Sequence, residues 1–261
     1  MRILGAGLVC AQGRGRDAAA REWNPPSFVD VPFRSDPFPV YMVASEVLKD
    51  KAVLGSMRRA DRFSKMATMA AHDAVADSGM ELDAERTGII FATAFGPHNT
   101  TFKFQDDIID YGDAGVSPTV FSNSVHNAAV SYISRALKVK GPTWTITNFR
   151  DPFGQAVQLA QAWLDEGRCD RVLVGAGDEC GTVMEYICAQ KLPIAEDGKV
   201  RLEDPPAYVP GEGAAFFLID RQDGGVPLEG ARQDRAPVFG NMLVGTALDC
   251  AADYFGVNTG E

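Results

Sequence analysis

Histidine is the scarcest proton-moving side chain in this 261-residue chain: His72, His98 and His126 are all three, and nothing after residue 126 can serve as an imidazole base. His72 falls inside a helical apolar repeat and reads as structural. His98, beside Pro97 and Asn99, reads as a loop residue. His126, in Asn123-Ser124-Val125-His126-Asn127, reads as a hydrogen-bonded histidine at a helix start, with a functional role as the competing reading. The five cysteines, Cys10, Cys169, Cys180, Cys188 and Cys250, are odd in number, widely spaced and without a C-x-x-C pair. Reduced, mostly buried thiols are therefore expected. No His, Cys and carboxylate ligands converge at short spacing, so neither a metal nor another cofactor is expected. Gly5-Ala6-Gly7 follows a strand-like run, but Cys10 stands where a dinucleotide fingerprint needs its third glycine. Gln12-Gly13-Arg14-Gly15-Arg16 is also a poor helix start, which argues against a nucleotide site.

The elements around these residues set the fold class. Ile3–Val9, Gly88–Ala94, Thr143–Thr147, Arg171–Gly175, Ala214–Ile219 and Val238–Val244 are short apolar runs bounded by Gly or charge, and read as buried strands. Helical periods fall between them. Phe63, Met66, Ala67, Ala70 and Ala74 repeat at three and four across Arg62–Ser78, with Gly79 as the stop. Further helices are expected from about Ser124 to Leu137 and from about Pro152 to Glu166. Alternation of strands and helices predicts an α/β sandwich with a mixed or mainly parallel sheet. Residues 1–261 are expected to form one domain, with an irregular excursion at about 12–59 that holds Asn24-Pro25-Pro26 and Pro37-Phe38-Pro39. The formal net charge of −10 speaks against nucleic acid and anionic membrane as partners. No run of about 18 apolar residues could span a bilayer, and a soluble, cytoplasmic protein is expected.

The stretch Gly141-Pro142-Thr143-Trp144-Thr145-Ile146-Thr147, followed by a helix and then Glu166-Gly167-Arg168-Cys169-Asp170-Arg171-Val172-Leu173-Val174-Gly175, resembles the nucleophile segment of β-ketoacyl synthases. Arg59-Ala60-Asp61-Arg62-Phe63-Ser64-Lys65 is similar to that family's first long helix, Pro118–Asn127 to its dimer-interface segment, and Pro210-Gly211-Glu212-Gly213-Ala214-Ala215 to a strand start. The resemblance covers about residues 1–9 and 59–220. It implies half of a thiolase-like fold, αβα layers around a mixed, mainly parallel sheet, working as a dimer.

At the reacting position the chain departs from the resemblance. Counted from Gly141 or back from Gly167, Arg150 stands where the family carries its catalytic cysteine. A guanidinium cannot accept an acyl group from a thioester. Asp151 would cap the following helix with an anion and Pro152 would delete an N–H donor, which makes a sound helix start and a bad oxyanion hole. The family's two later histidine segments have no counterpart here, so a catalytically dead relative of an acyltransferase is expected, with no catalytic residue.

The resemblance further implies a chain-length-factor role: a partner that dimerises with an active β-ketoacyl synthase and closes its acyl tunnel, in type II fatty-acid or polyketide-like biosynthesis. Pro97, Thr100 and Phe104 fall at the length-setting positions, and Phe102, Phe104 and Tyr111 could form a floor. Asn123, His126, Val130 and Ser131 are the candidate interface, together with the sheet edge at Thr143–Thr147. Partners implied are a full-length ketosynthase in a heterodimer or a second copy in a homodimer, with acyl carrier protein met indirectly. The rival reading is a stand-alone homodimeric binding or scaffold protein derived from a ketosynthase.

Overall fold

Runs such as Ile89-Ile90-Phe91-Ala92 and Ala214–Ile219 have no polar side to leave in water, so helices must cover both of their faces. The computed structural model, which describes residues 1–19, 24–55, 57–201, 204–221 and 245–255, has that architecture. In chain order it runs β1 (Arg2–Cys10), β2 (Gly13–Arg14), α1 (Gly15–Ala19), β3 (Ser27–Val29), β4 (Phe38–Val40), α2 (Lys51–Leu54), α3 (Arg62–Ser78), β5 (Thr87–Thr93) and α4 (His98–Tyr111). It continues with α5 (Pro118–Asn123), α6 (Ala128–Leu137), β6 (Thr143–Thr147), α7 (Pro152–Asp165), β7 (Arg171–Asp178), α8 (Thr182–Lys191), β8 (Gly213–Asp220) and α9 (Gly245–Tyr254). Among the described residues the main sheet has six strands in the order β2-β1-β8-β7-β5-β6. β5 lies parallel to β6 and β7, while β8 is antiparallel to both its neighbours, β1 and β7.

Alternation along the strands sorts side chains into two cores. Ile90, Val174 and Phe217 face the layer of α1, α7 and α9, and Ile89, Leu173 and Phe216 face α3 and α6. The αβα sandwich expected from the sequence is therefore present. α3 spans the predicted Arg62–Ser78: the Asp61 carboxylate accepts from the Ser64 N–H at 2.8 Å at its start, and Gly79 ends it at a left-handed φ of 62°. Gly5 and Gly7 of β1 are explained by this helix. A Cβ on Gly7 would lie 2.0 Å from the Ala70 carbonyl oxygen and one on Gly5 2.4 Å from that of Ala74, so these glycines serve close packing.

Two expectations need correction. α6 begins at Ala128, four residues later than expected, because the Ala128 N–H donates to the Val125 carbonyl in a turn at 3.0 Å. The excursion at 12–59 is more ordered than its prolines suggested: β3 and β4 pair as a separate antiparallel sheet, and Phe38, Val40 and Cys180 bury a small third core with them. The predicted strand Val238–Val244 lies outside the described residues. No described helix is long and apolar enough to cross a membrane.

Candidate functional site

Arg150, the residue expected at the nucleophile position, lies in the turn between β6 and α7. β6 sits at the edge of the sheet, and the Asn148 N–H donates to Thr93 O at 3.2 Å, which carries the β5 pairing one residue past the strand. From there the chain turns sharply. The Arg150 N–H donates to Asn148 Oδ1 at 2.9 Å, Asn148 Nδ2 to Gln155 Oε1 at 3.1 Å, and Gln155 Nε2 to the Arg150 carbonyl at 3.0 Å. Asp151 completes the elbow in the left-handed region, φ 47° and ψ 56°, a conformation that few residues other than Gly, Asn and Asp tolerate.

As the N-cap, Asp151 accepts from the Gly154 N–H at 3.0 Å, and its backbone carbonyl accepts from the Gln155 N–H at 3.3 Å. Pro152 contributes no N–H. Of the donors that a helix start would offer a developing oxyanion, that of Gly154 is held by Asp151 and that of position 152 is deleted, and the macrodipole's positive end already faces a carboxylate. Arg150 itself is exposed, beside Phe149, whose ring is 62% exposed and lies 5.1 Å from that of Phe95. Asp151 caps the helix and Pro152 opens it as expected, and the Asn148–Gln155 amide bridge was not anticipated.

The length-setting candidates gather at the start of α4. Pro97 is buried and holds the N-cap position, so it precedes the helix and does not share its face. Thr100 Oγ1 donates to Asp61 Oδ2 at 3.1 Å, and the Phe104 ring lies 5.5 Å from that of Phe121 on α5. Phe102, Ile108, Ile109 and Tyr111 are exposed along the rest of α4, as are Phe121 and Trp144.

Of the interface candidates, two are corrected. Asn123 is buried, donating to Arg59 O at 2.6 Å and accepting from the Tyr132 hydroxyl at 3.0 Å, and Val130 lies 4% exposed in the core between α6 and the sheet. Both face inward, where the chain's own polar and apolar partners hold them. His126 and Ser131 are exposed.

The sequence reading missed a carboxylate group at the end of β7. Asp178 is buried at 5% exposure, and burial pushes its carboxyl up to about 6 despite four hydrogen bonds. Glu179 is pushed up to about 8, first by burial and then by its neighbours Asp61 and Glu212. Arg62 donates to both oxygens of Glu212, whose other contacts are the N–H groups of Val43 at 2.8 Å and Cys180 at 3.3 Å. His98, expected in a loop, is buried in the first turn of α4, 4.0 Å from Glu179, and burial drives its imidazole down to about 4. The legible signal was Asp178-Glu179 directly ending an apolar strand. Burial raises the thiols of Cys10 and Cys188 to about 11, away from nucleophilic use. No group of three His, Cys or carboxylate residues suited to a metal occurs among the described residues.

A model of the β-ketoacyl synthase N-terminal domain matches residues 41–184, more than half of the chain. The chain belongs to the β-ketoacyl synthase family. The 3-oxoacyl-[acyl-carrier-protein] synthase 2 of Synechocystis is 26% identical over 210 residues, covering 75% of this chain and 48% of the relative. A Streptomyces violaceoruber protein described as a granaticin polyketide β-ketoacyl synthase 1 is 26% identical over 260 residues, covering 85% of this chain and 58% of its own length. This ketosynthase-family chain therefore spans about half the length of the curated relatives it matches. Among solved structures, the ishigamide ketosynthase/chain length factor superposes with a TM-score of 0.68 at 20% identity, over 86% of this chain and 63% of that one. A β-ketoacyl synthase from Burkholderia phymatum gives a TM-score of 0.70 at 18% identity, over 85% and 59%. These likenesses establish the thiolase-like fold of the chain.

Proposed function

We propose that this ketosynthase-family chain is a non-catalytic, chain-length-factor-like partner of an active β-ketoacyl-acyl-carrier-protein synthase in a type II fatty-acid or polyketide-like pathway. One observation carries the reading: at the family's nucleophile position stands Arg150, on an elbow whose helix start is filled by Asp151 and Pro152. Neither a thiolate nor an oxyanion has a place there. The exposed apolar residues of α4, α5 and β6 support a docking role, since Ile109, Phe121 and Trp144, the last on the edge strand among the described residues, are costly to leave in water. Resemblance in fold to a ketosynthase/chain length factor pair agrees with it. In this reading the partner performs decarboxylative condensation, acyl carrier protein docks on the partner, and Pro97, Thr100 and Phe104 bear on the acyl channel.

Co-expression with full-length ketosynthases of the same genome, followed by size-exclusion chromatography and native mass spectrometry, tests the proposal. A one-to-one heterodimer is expected. A homodimer indifferent to every ketosynthase would replace it with the binding or scaffold reading.

A further inference from the structure

α4 carries the residues proposed to bear on the partner's channel, yet its own sequence offers nothing to start it. Pro97 stands at the N-cap with no capping side chain. Gly96 before it turns at a left-handed φ of 63°, with the His126 ring so close that a Cβ on Gly96 would meet it at 2.5 Å. The groups that fix this entry come from the end of β7. Buried Asp178 accepts from Thr93 Oγ1 at 2.5 Å and from the N–H groups of Ala94, Phe95 and Gly96 at 3.0, 3.0 and 3.3 Å. Glu179, the next residue, accepts from the Asn99 N–H at 2.9 Å, the orphan donor that a capping side chain would otherwise hold. Asn99 in turn donates through Nδ2 to Cys180 O at 2.9 Å and lies so near Gly181 that a Cβ there would sit 1.9 Å from its Oδ1. The His98 imidazole is buried at this point, with Nδ1 4.0 Å from Glu179 Oε1 and no hydrogen bond from either ring nitrogen.

Beyond this first turn α4 is lightly held. Thr100 reaches Asp61, Thr101 Oγ1 donates to Ser124 O at 2.9 Å, Phe104 rests on Phe121, and Ile109 and Tyr111 are 79% and 71% exposed. The helix is thus a lever pivoting on two carboxylates. With 14 residues it is about 21 Å long, so a tilt of about 10° at its base moves the far end by roughly 3.5 Å, two to three carbon–carbon bonds of an extended chain.

We infer that Asp178 and Glu179 are positioning residues that set the direction in which α4 leaves the sheet, and with it the depth to which Phe104 and Tyr111 limit the acyl channel of the partner. The inference about the channel rests on the chain-length reading proposed above. The inference about the helix does not.

Two measurements separate them. In hydrogen–deuterium exchange on the purified chain, Glu179→Ala should speed exchange of residues 98–111 about tenfold and leave the core strands unchanged. Glu179→Gln should behave as the wild type, because its amide oxygen still accepts from the Asn99 N–H. Unchanged exchange in Glu179→Ala, a uniform rise through the whole chain, or a Gln variant as loose as the Ala variant would overturn the positioning role. In the reconstituted complex with a ketosynthase, Glu179→Ala should shift the distribution of product lengths, and Glu179→Gln should restore it. A length distribution that stays fixed while α4 loosens would overturn the channel part. If the wild-type chain binds no ketosynthase, the chain-length reading falls with its channel corollary, and the exchange experiment still decides whether the two carboxylates hold α4.

Discussion

Asn148 and Gln155 are joined side chain to side chain at 3.1 Å across the turn between β6 and α7, with Arg150 threaded through the loop they close. Gln155 accepts from Asn148 through Oε1 and donates through Nε2 to the Arg150 carbonyl at 3.0 Å. The two amides therefore tie both ends of the elbow together, with Arg150 exposed between them.

Restoring the nucleophile alone should fail. In Arg150→Cys the thiol would stand beside the Asp151 carboxylate, which already caps the helix start and holds the Gly154 N–H, so its pKa should stay at about 8.5 or above and not fall into the range of activated thiols. The pH profile of iodoacetamide alkylation checks this, together with acyl loading from an acyl thioester. A midpoint below about 7, or stoichiometric loading, would contradict the account of the elbow.

Stability should fall on both sides of a mildly acidic optimum. Glu179 rises from an ordinary 4.5 to about 8 on folding, so the folded state holds a proton the unfolded state has released, and stability declines as pH rises through that window. Asp178, raised to about 6, acts in the same sense over a narrower window. His98 falls from 6.5 to about 4, so the unfolded state binds the extra proton and stability declines as pH drops from 6.5 towards 4. Denaturant midpoints measured from pH 4 to 9 should show the alkaline decline reduced in Glu179→Gln and the acid decline reduced in His98→Phe. Identical profiles in all three proteins would count against burial of these groups.

The ion pair of Arg62 with Glu212 ties the start of α3 to the start of β8, and the Glu212 side chain is fully buried. Arg62→Met should cost about 3–5 kcal/mol because it strands a buried carboxylate. Glu212→Gln should cost less, and the double variant less than the sum of the two. Urea unfolding of the three variants gives the coupling energy directly, and additivity would mean that the pair is not coupled.

For the proposed heterodimer, Ser131→Arg and Trp144→Asp should each block complex formation, because both positions are exposed and lie on α6 and the open edge of the sheet. Both variants should keep the wild-type circular dichroism spectrum. Val130→Arg is no such probe: it buries an unpaired charge in the core and should unfold the chain. A heterodimer indifferent to Ser131→Arg and Trp144→Asp would move the interface elsewhere.

Much of the sandwich was legible because its signals are local. The three- and four-residue repeat from Phe63 to Ala74, closed by Gly79, defined α3 to the residue, and apolar runs without a polar side announced strands covered on both faces. The Asp151 cap and Pro152 at the start of α7 were legible as a local helix-start pair. What stayed hidden depends on contacts between distant segments. Asn123 and Val130 lie in a segment that reads as surface until Arg59, Tyr132 and the sheet are seen to surround them. His98 is polar and flanked by Pro97 and Asn99, so nothing local announces its burial, and the Asp178–Glu179 anchor of α4 becomes visible only when β5 and β7 are paired.

The place of β8 between β1 and β7 bears on when the molecule can fold during synthesis. Arg2 is held by Asp220 across 218 residues, and among the described residues β8, which follows the other strands of the main sheet in the chain, lies between β1 and β7 and pairs with both. At ribosomal speeds of about 5–20 residues per second, the first strand emerges roughly 10–40 s before the one that must pair with it. Loop closure over such a span adds only modestly to the entropic cost, so the delay is set by translation and not by the length of the intervening chain. Through that interval Leu8 has α1 on one face of the strand and Val9 has α3 on the other, but the edge of β1 that pairs with β8 has no partner until β8 is made.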